Sequence, residues 1–347
     1  MTVVRQSGRS ESSLKCGVFV RVAVTVLILA YLGFKVHWAE LGKQFLRSDP
    51  LWLLIACFIF GAAFLLGSLR WWLLLKVQEI YLPFRVVTAL TFVGQFFNSF
   101  LLGAVGGDVV RTFYTLKYNP QQKTHATLSV IVDRVMGVVT LLFCALIGLA
   151  WQLGRVMQRD DIRVIGLALL VVFGVIVAGM TSLALMPFRR LPAVFHRLWH
   201  TIPRRHNLEL LIGGLRQHGK SAHLTIKALL CSFAIHVLVF TAGFCIAQAI
   251  HLDATYGEII VVLAVVICVV SLPISIGGHG VREGAFVLMF AAFGIISIDR
   301  YTGMGQEPAI LFSLLFFALL SVWSFIGGLI YLTFDHAYHN AESSAPR

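Results

Sequence analysis

Two short stretches of the chain combine paired glycines with an arginine at the same spacing. Residues 106–111 read GGDVVR and residues 277–282 read GGHGVR, so both follow the pattern G-G-x-x-V-R. A planar guanidinium holds phosphate oxygens through two parallel hydrogen bonds, and paired glycines let backbone N–H groups approach an anion. The pattern therefore indicates anion binding. The alternative is structural: each arginine forms an internal ion pair, Arg111 with Asp108 and Arg282 with Glu283.

Other polar residues near these motifs could take part in the same chemistry. Asp133 and Arg134 fall inside an apolar stretch, and because adjacent helical residues point about 100° apart, each needs a partner elsewhere. The candidate anion-binding residues are Arg111, Arg282, Arg134, Gly106, Gly107, Gly277, Gly278 and Asn98. The candidates for ion pairing or proton coupling are Asp108, Asp133, Glu283, His279 and His236. The alternatives are helix capping for Asn98, an interfacial position for Arg134 and hydrogen-bonded packing for the histidines.

Metal and cofactor chemistry finds little support in the sequence. His196 and His200 have the i, i+4 spacing of ligands on a helix, but no third ligand lies near them. The six cysteines fall in or beside apolar runs without a Cys-x-x-Cys pair, which is typical of buried reduced thiols. No Walker A pattern occurs, so ATP hydrolysis is not expected. We therefore expect neither a metal nor a cofactor.

The composition indicates a polytopic membrane protein. Of 347 residues, 58% are hydrophobic and 13% are charged, and the mean hydropathy is +0.85. A soluble domain carries about 25% charged residues. The formal net charge of +12 comes mainly from short loops beside apolar runs, as the positive-inside rule describes. Nucleic-acid binding is therefore not expected.

Runs of about 20 apolar residues predict the membrane-spanning helices. We expect six full crossings, near residues 17–34, 51–75, 125–151, 162–186, 224–250 and 308–334, and two broken segments, at 86–104 and 257–276. The loop 187–223 carries seven Lys and Arg residues against one acid and should be cytoplasmic, as should the N-terminus. This placement requires segment 86–104 to enter the membrane and return to the same side, which predicts a re-entrant segment.

The glycine motifs also predict an internal repeat. They lie 171 residues apart (277 − 106), and the same shift brings span 51–75 close to span 224–250 and one broken segment onto the other. The related spans should cross in opposite directions, which indicates an inverted repeat of the kind found in alternating-access transporters. The alternative is that the glycines only permit close helix packing. The expected organisation is all-α, with tails at 1–16 and 336–347 and one membrane domain at 17–335, divided into halves 17–186 and 224–335.

Three stretches occur in a fixed order along the chain: LLGAVGGDVVRTFYTLK, LSVIVDRVMGVV and SLPISIGGHGVREGAF. On these motifs the chain resembles the transmembrane region of lysylphosphatidylglycerol synthases, a flippase-like family, from about residue 15 to residue 335. The family commonly has a glutamate where this chain has Asp133, and it often begins the first glycine motif with a proline that is missing here. The shorter Asp133 side chain must find a closer partner.

The resemblance implies translocation of a lipid without its synthesis, since no soluble catalytic domain is expected in this chain. The substrate classes it suggests are an aminoacylated phospholipid, a polyprenyl-phosphate-linked sugar and a hopanoid-type lipid. The rival is a membrane-embedded transferase, or an accessory subunit of a lipid-modifying or glycosyl-transfer enzyme, with Asp108, Asp133, His279 or Glu283 as its acid or base. Membrane lipids are the expected partners, with a separate lipid-modifying enzyme or a second copy of the chain as further alternatives. The expected location is a bacterial inner membrane.

Overall fold

The computed structural model describes residues 38–100, 106–118, 120–185, 214, 217–271, 278–298 and 305–343. Over these ranges the chain is helical and contains no strand. The helices are α1 (Trp38–Leu46), α2 (Pro50–Val77), α3 (Phe84–Phe100), α4 (Gly106–Tyr118), α5 (Lys123–Trp151), α6 (Leu153–Gln158), α7 (Asp160–Leu185), α8 (Ala222–Ala249), α9 (Tyr256–Ser271), α10 (Val281–Ala292) and α11 (Glu307–Ser343).

The predicted all-helical membrane fold is confirmed. Helices α2, α5, α7, α8 and α11 are long and apolar enough to cross a membrane, and they coincide with five of the six expected spans. The sixth, 17–34, lies outside the described residues, as does most of the loop 187–223. Helix α2 shows how the sequence sets the start of a span: the Asp49 carboxylate accepts a hydrogen bond from the Leu51 N–H at 2.8 Å, and Pro50 occupies the first turn.

Helices α2 and α8 pack against each other along their length and in opposite directions. At one end the Asp49 N–H donates to the Ala249 carbonyl (2.9 Å). Further along, Nη1 of Arg70 donates to Oγ of Ser232 (2.9 Å). Their starting residues differ by 172 (222 − 50), close to the shift between the glycine motifs. The repeat-related helices therefore form an antiparallel pair.

The other end of this pair is held by the buried Gln78. Its Nε2 donates to Nε2 of His218 (3.0 Å) and to the Gly214 carbonyl (3.1 Å). Its Oε1 accepts a hydrogen bond from Nδ1 of His125 (2.9 Å). Gln78 follows α2, His125 lies in the first turn of α5 and His218 precedes α8. All three helix ends therefore meet at one end of the bundle, which we call the Gln78 end.

The first broken segment forms a hairpin of α3 and α4 that belongs to this end. The Asn98 side chain contacts Gly107 and the Thr91 side chain contacts Arg111, so the two helices run antiparallel. The hairpin starts after Gln78 and is followed by α5, which begins at the Gln78 end. It thus leaves and returns to one end of the bundle, as expected for a re-entrant segment.

The second hairpin, of α9 and α10, belongs to the opposite end. Nε2 of Gln152, just after α5, donates to Oγ1 of Thr255, just before α9 (2.9 Å). The Arg159 guanidinium, between α6 and α7, donates to the carbonyl of Ala292, the last residue of α10. The two hairpins therefore open toward opposite ends of the molecule, and this is the geometry of an inverted repeat.

Each hairpin packs against the long helix that follows the other hairpin. Helix α3 contacts α11, where Gly327 lies against the backbone of Phe92 and the hydroxyls of Ser99 and Ser324 are 3.1 Å apart. In the same way α9 contacts α5, where Gly148 faces the side chain of Ile260. Since α5 and α11 hold equivalent places in the two halves, the first helix of each hairpin packs on a helix of the other half.

The largest apolar core surrounds the second hairpin. The rings of Phe286, Phe290 and Phe312 lie with centroids 5.0 to 5.9 Å apart. These rings are fully buried and join side chains of α5, α8 and α9 in one cluster. The largest apolar core is thus centred on the second hairpin, whereas the first hairpin lines a polar cavity.

Candidate functional site

A cavity of about 260 Å³ lies between α2, α3, α4, α5, α8 and α11. One wall is polar and is formed by Arg70, Thr91, Gln95, Asn98, Arg111, Asp133 and Arg134. The other is mainly apolar and is formed by Phe60, Ala63, Phe64, Gly67, Ile235, Val239 and Leu320. Charged side chains at membrane depth are costly unless they are paired or serve a ligand. This cavity is therefore the candidate functional site.

Asp133 holds two arginines at the inner wall of the cavity. Its Oδ1 accepts a hydrogen bond from Nε of Arg70 at 2.7 Å, and its Oδ2 lies 3.3 Å from Nη1 of Arg111. The Asp133 residue is 3% exposed. Arg70 also reaches Ser232 of α8, so this cluster joins α2, α4, α5 and α8. Asp133 is thus the internal partner of Arg111, in place of the Asp108 that the sequence suggested.

Arg111 is the arginine with spare hydrogen-bonding capacity. Its residue is 8% exposed, and its Nη2 lies 3.5 Å from Oγ1 of Thr91. Its Nε has no hydrogen-bond partner within the described part of the chain. The guanidinium lies over the ring of Trp71, 4.1 Å from the centroid, which is an apolar and electrostatic support rather than a hydrogen bond. A buried charge so incompletely paired favours an additional anion.

Arg134 and Asp108 form a separate ion pair at the mouth of the cavity. Nε and Nη2 of Arg134 donate to the two carboxylate oxygens of Asp108, at 2.8 and 3.2 Å. The side chains are 45% and 17% exposed, so this pair meets solvent or headgroups while the Asp133 cluster does not. Asp133 and Arg134 thus find different partners, in keeping with their divergent directions on α5.

Two glycines bring the first motif close to this cluster. A Cβ on Gly107 would overlap the carbonyl of Gly94 on α3. Oδ1 of Asn98 accepts a hydrogen bond from the Gly107 N–H at 2.8 Å, so Asn98 caps the start of α4. Gly106 is buried in the first turn of the same helix. The close packing and the cap position Arg111 one turn further along α4.

The second motif differs from the first in its backbone conformation, and its charged side chains neutralise each other. Gly278 and Gly280 have φ of +75° and +80°, and the helix starts only at Val281. Nη2 of Arg282 donates to Oε1 of Glu283 at 2.5 Å, and Nε of Arg282 donates to Oγ of Ser313 at 3.0 Å. Both charged residues are buried. Arg282 thus has the internal partner that the sequence offered as the alternative, and Gly277 lies outside the described residues.

The two candidate histidines make packing contacts. The His279 ring lies edge-on to Phe317, with centroids 4.9 Å apart. Nε2 of His236 donates to the Gly137 carbonyl at 2.9 Å. The described residues contain no cluster of three or more His, Cys, Asp or Glu side chains arranged for a metal ion.

The charge of the cavity is not balanced. Arg70, Arg111 and Arg134 face Asp133 and Asp108, which leaves one positive charge in excess among the described residues at this site. The segment 101–105, between α3 and α4, contains no ionisable residue. Sequence reasoning missed Arg70, although it is the one charged residue within the predicted span 51–75 and charges inside spans mark functional positions.

Comparison with known proteins agrees with this architecture. Residues 18–328 match the family described as the lysylphosphatidylglycerol synthase TM region. A UPF0104 membrane protein of Pyrococcus horikoshii is 22% identical over 302 residues, covering 80% of this chain and 87% of that protein. A UPF0104 membrane protein of Methanothermobacter thermautotrophicus is 24% identical over 296 residues, covering 80% and 83%. Because the family match extends over most of the sequence, this chain belongs to the lysylphosphatidylglycerol synthase transmembrane-region family.

Proposed function

We propose that the protein moves a lipid across the membrane and that the cavity of the first half binds the lipid's anionic headgroup. The observation that carries this proposal is the excess positive charge of the cavity, where three guanidinium groups face two carboxylates. Arg111 lines the cavity and has the longest of these ion-pair contacts, at 3.3 Å. Guanidinium groups are suited to phosphate oxygens in geometry as well as charge.

The depth of the cluster fits a headgroup that has entered the bilayer. Arg70 lies seven residues before the end of α2, which corresponds to about 10 Å at 1.5 Å per residue. Asp133 lies ten residues after the start of α5, or about 15 Å. The hydrocarbon core is about 30 Å thick. Helices of 28 and 29 residues extend beyond the hydrocarbon core at their ends, so a headgroup in the cavity would lie below the membrane surface, with its tails beside the apolar wall.

The hairpins supply a means of access from both sides. They open toward opposite ends of the bundle, and broken helices in inverted halves are typical of alternating-access transporters. We place the Gln78 end on the cytoplasmic side of a bacterial inner membrane. Lys76, Lys117, Lys123 and Lys220 lie at the helix ends that meet there, in keeping with the positive-inside rule.

Reconstitution tests the proposal directly. Purified protein in liposomes that carry labelled lipid in one leaflet should accelerate its transfer to the other leaflet. Arg111→Gln should lose most of this transfer, because it removes the least paired charge of the cavity. Arg163→Gln is the matched control, since that arginine is 66% exposed and pairs with Asp160 outside the cavity. Equal transfer by wild type and Arg111→Gln would refute the role of the cavity, and a chemically modified lipid without transfer would favour a transferase.

A further inference from the structure

We infer that the translocated lipid has a small headgroup with one net negative charge, such as a phosphodiester that carries no added amine. This inference rests on the proposed function and narrows its substrate class. It distinguishes between lipids that share a phosphate, since lysyl-phosphatidylglycerol is a net cation and phosphatidylglycerol itself is an anion. The charge and the lining of the cavity support this distinction.

Two of the cavity's ion pairs are short. The charges of Arg70 and Asp133, which are 2.7 Å apart, cancel each other. The charges of Arg134 and Asp108, which are 2.8 Å apart, do the same. Arg111 shares Asp133 at the longer distance of 3.3 Å. One monoanionic phosphodiester would neutralise the remaining charge. A zwitterion would leave it in place, and an added ammonium group would face uncompensated guanidinium groups in a medium of low dielectric constant.

The second half of the protein does not change this balance. Arg282 is neutralised by Glu283 next to it, and both lie within one hydrogen-bonded group that includes Ser313. The segment 272–277, which precedes this group, contains no ionisable residue. Among the described residues, the unbalanced charge that would select a ligand therefore belongs to the first half.

The volume and the lining of the cavity suit a small polar headgroup. A cavity of about 260 Å³ has room for a phosphate with a short polyol. Thr91, Gln95 and Asn98 line the same wall, and these neutral side chains suit hydroxyl groups without adding charge.

Substitutions of Arg134 and Asp108, at the cavity mouth, can set the excess positive charge of the cavity to three values. Arg134→Gln lowers the excess from one to zero, and Asp108→Asn raises it to two. The double variant Arg134→Gln with Asp108→Asn restores it to one and is the matched control for the loss of the pair itself. These side chains are 45% and 17% exposed, so their loss should leave the buried cluster folded, which circular dichroism and gel filtration would verify.

The experiment measures transfer of four tail-labelled lipids in otherwise identical vesicles: phosphatidylglycerol, phosphatidylethanolamine, lysyl-phosphatidylglycerol and phosphatidic acid. Wild type should move phosphatidylglycerol at least about tenfold faster than the zwitterion or the cation, because mismatched charges at an interface cost several kcal/mol. Arg134→Gln should shift the preference toward phosphatidylethanolamine, and Asp108→Asn toward phosphatidic acid. The double variant should again prefer phosphatidylglycerol, at a lower rate.

The outcomes separate this inference from the proposed function. Faster transfer of the lysyl lipid, equal transfer of all four lipids, or an unchanged preference in Arg134→Gln would overturn the inference and leave translocation standing. The absence of transfer for every lipid by wild type would overturn both.

Discussion

Arg111 and Asp133 meet at 3.3 Å across the wall of the cavity, and the same carboxylate makes its shorter contact, 2.7 Å, with Arg70. Asp133 thus occupies part of the anion-binding capacity of Arg111 without saturating it. Under the proposed function, a phosphate that enters the cavity would pair with Arg111 while Arg70 keeps its partner. Asp133 would then pair again with Arg111 when the anion leaves.

Asp133→Asn should be strongly destabilising. It leaves Arg70 and Arg111 near each other without the carboxylate between them, and breaking such a buried ion pair costs about 3–5 kcal/mol. Thermal unfolding in detergent micelles measures the effect. Asp160→Asn is the control, because its side chain is 93% exposed and its ion pair lies at the surface. Similar melting temperatures for the two variants would show that Asp133 does not hold the cluster together.

Gly107→Ala should disrupt the first hairpin, whereas Gly174→Ala should be tolerated. A Cβ at residue 107 overlaps the backbone of Gly94, but a Cβ at residue 174 meets no atom within 4 Å. The first variant therefore forces α3 and α4 apart, and the second gains up to about 1 kcal/mol of helix propensity. Melting temperature and lipid transfer of both variants test this. Transfer at the wild-type rate by Gly107→Ala would contradict the tight packing.

Stability should fall in mild acid because of His218. Burial lowers the pKa of His218 from 6.5 to about 4, and its Nε2 must remain unprotonated to accept the hydrogen bond from Gln78. Between pH 6.5 and 4 the unfolded chain binds a proton that the folded chain does not, so the free energy of unfolding decreases as the pH falls. We expect about 2 kcal/mol, allowing for partial exposure of the ring.

The measurement compares unfolding at pH 7.5 and pH 5. His218→Gln should lose this part of the pH dependence, because glutamine can accept the same hydrogen bond and does not titrate. His223→Gln should retain it, since His223 is exposed. If His218→Gln and wild type lost the same stability between the two pH values, His218 would not be the responsible group.

Cysteine labelling should place Lys117 and Lys220 on one face of the membrane and Asp253 on the other. Lys117 lies at the end of the first hairpin and Lys220 just before α8, both at the Gln78 end, whereas Asp253 lies between α8 and α9 at the opposite end. Single cysteines at these positions in a cysteine-free background, treated with an impermeant reagent, test the arrangement. Labelling of residues 117 and 220 from opposite faces would exclude the re-entrant hairpin.

The sequence was sufficient for the all-helical membrane fold and for the five long apolar helices that the structure describes. Hydropathy predicts each span because crossing the bilayer requires a long apolar run, as in α2 and α8. The loop charges predict that segment 86–104 returns to its own side, and the structure shows a hairpin there. These features depend on the local composition and on the number of membrane crossings. Both can be inferred from a single sequence.

The partners of the charged residues could not be predicted in the same way. Which arginine meets Asp133 depends on the rotation of α2, α4 and α5 about their axes, and small side-chain displacements decide between Asp108 and Asp133 for Arg111. The two motifs look alike in sequence, yet Gly280 and Glu283 give the second one a later helix start. The two similar motifs therefore belong to one site with an unbalanced positive charge and to one group whose charges balance.

The packing of the hairpins across the halves makes the two halves depend on each other. Helix α3 rests on α11 and α9 rests on α5, while α4 and α10 contact α5 and α11 of their own halves. Each half alone would expose the helix face on which the other half's hairpin rests. The two halves are therefore expected to fold together and not as separate domains.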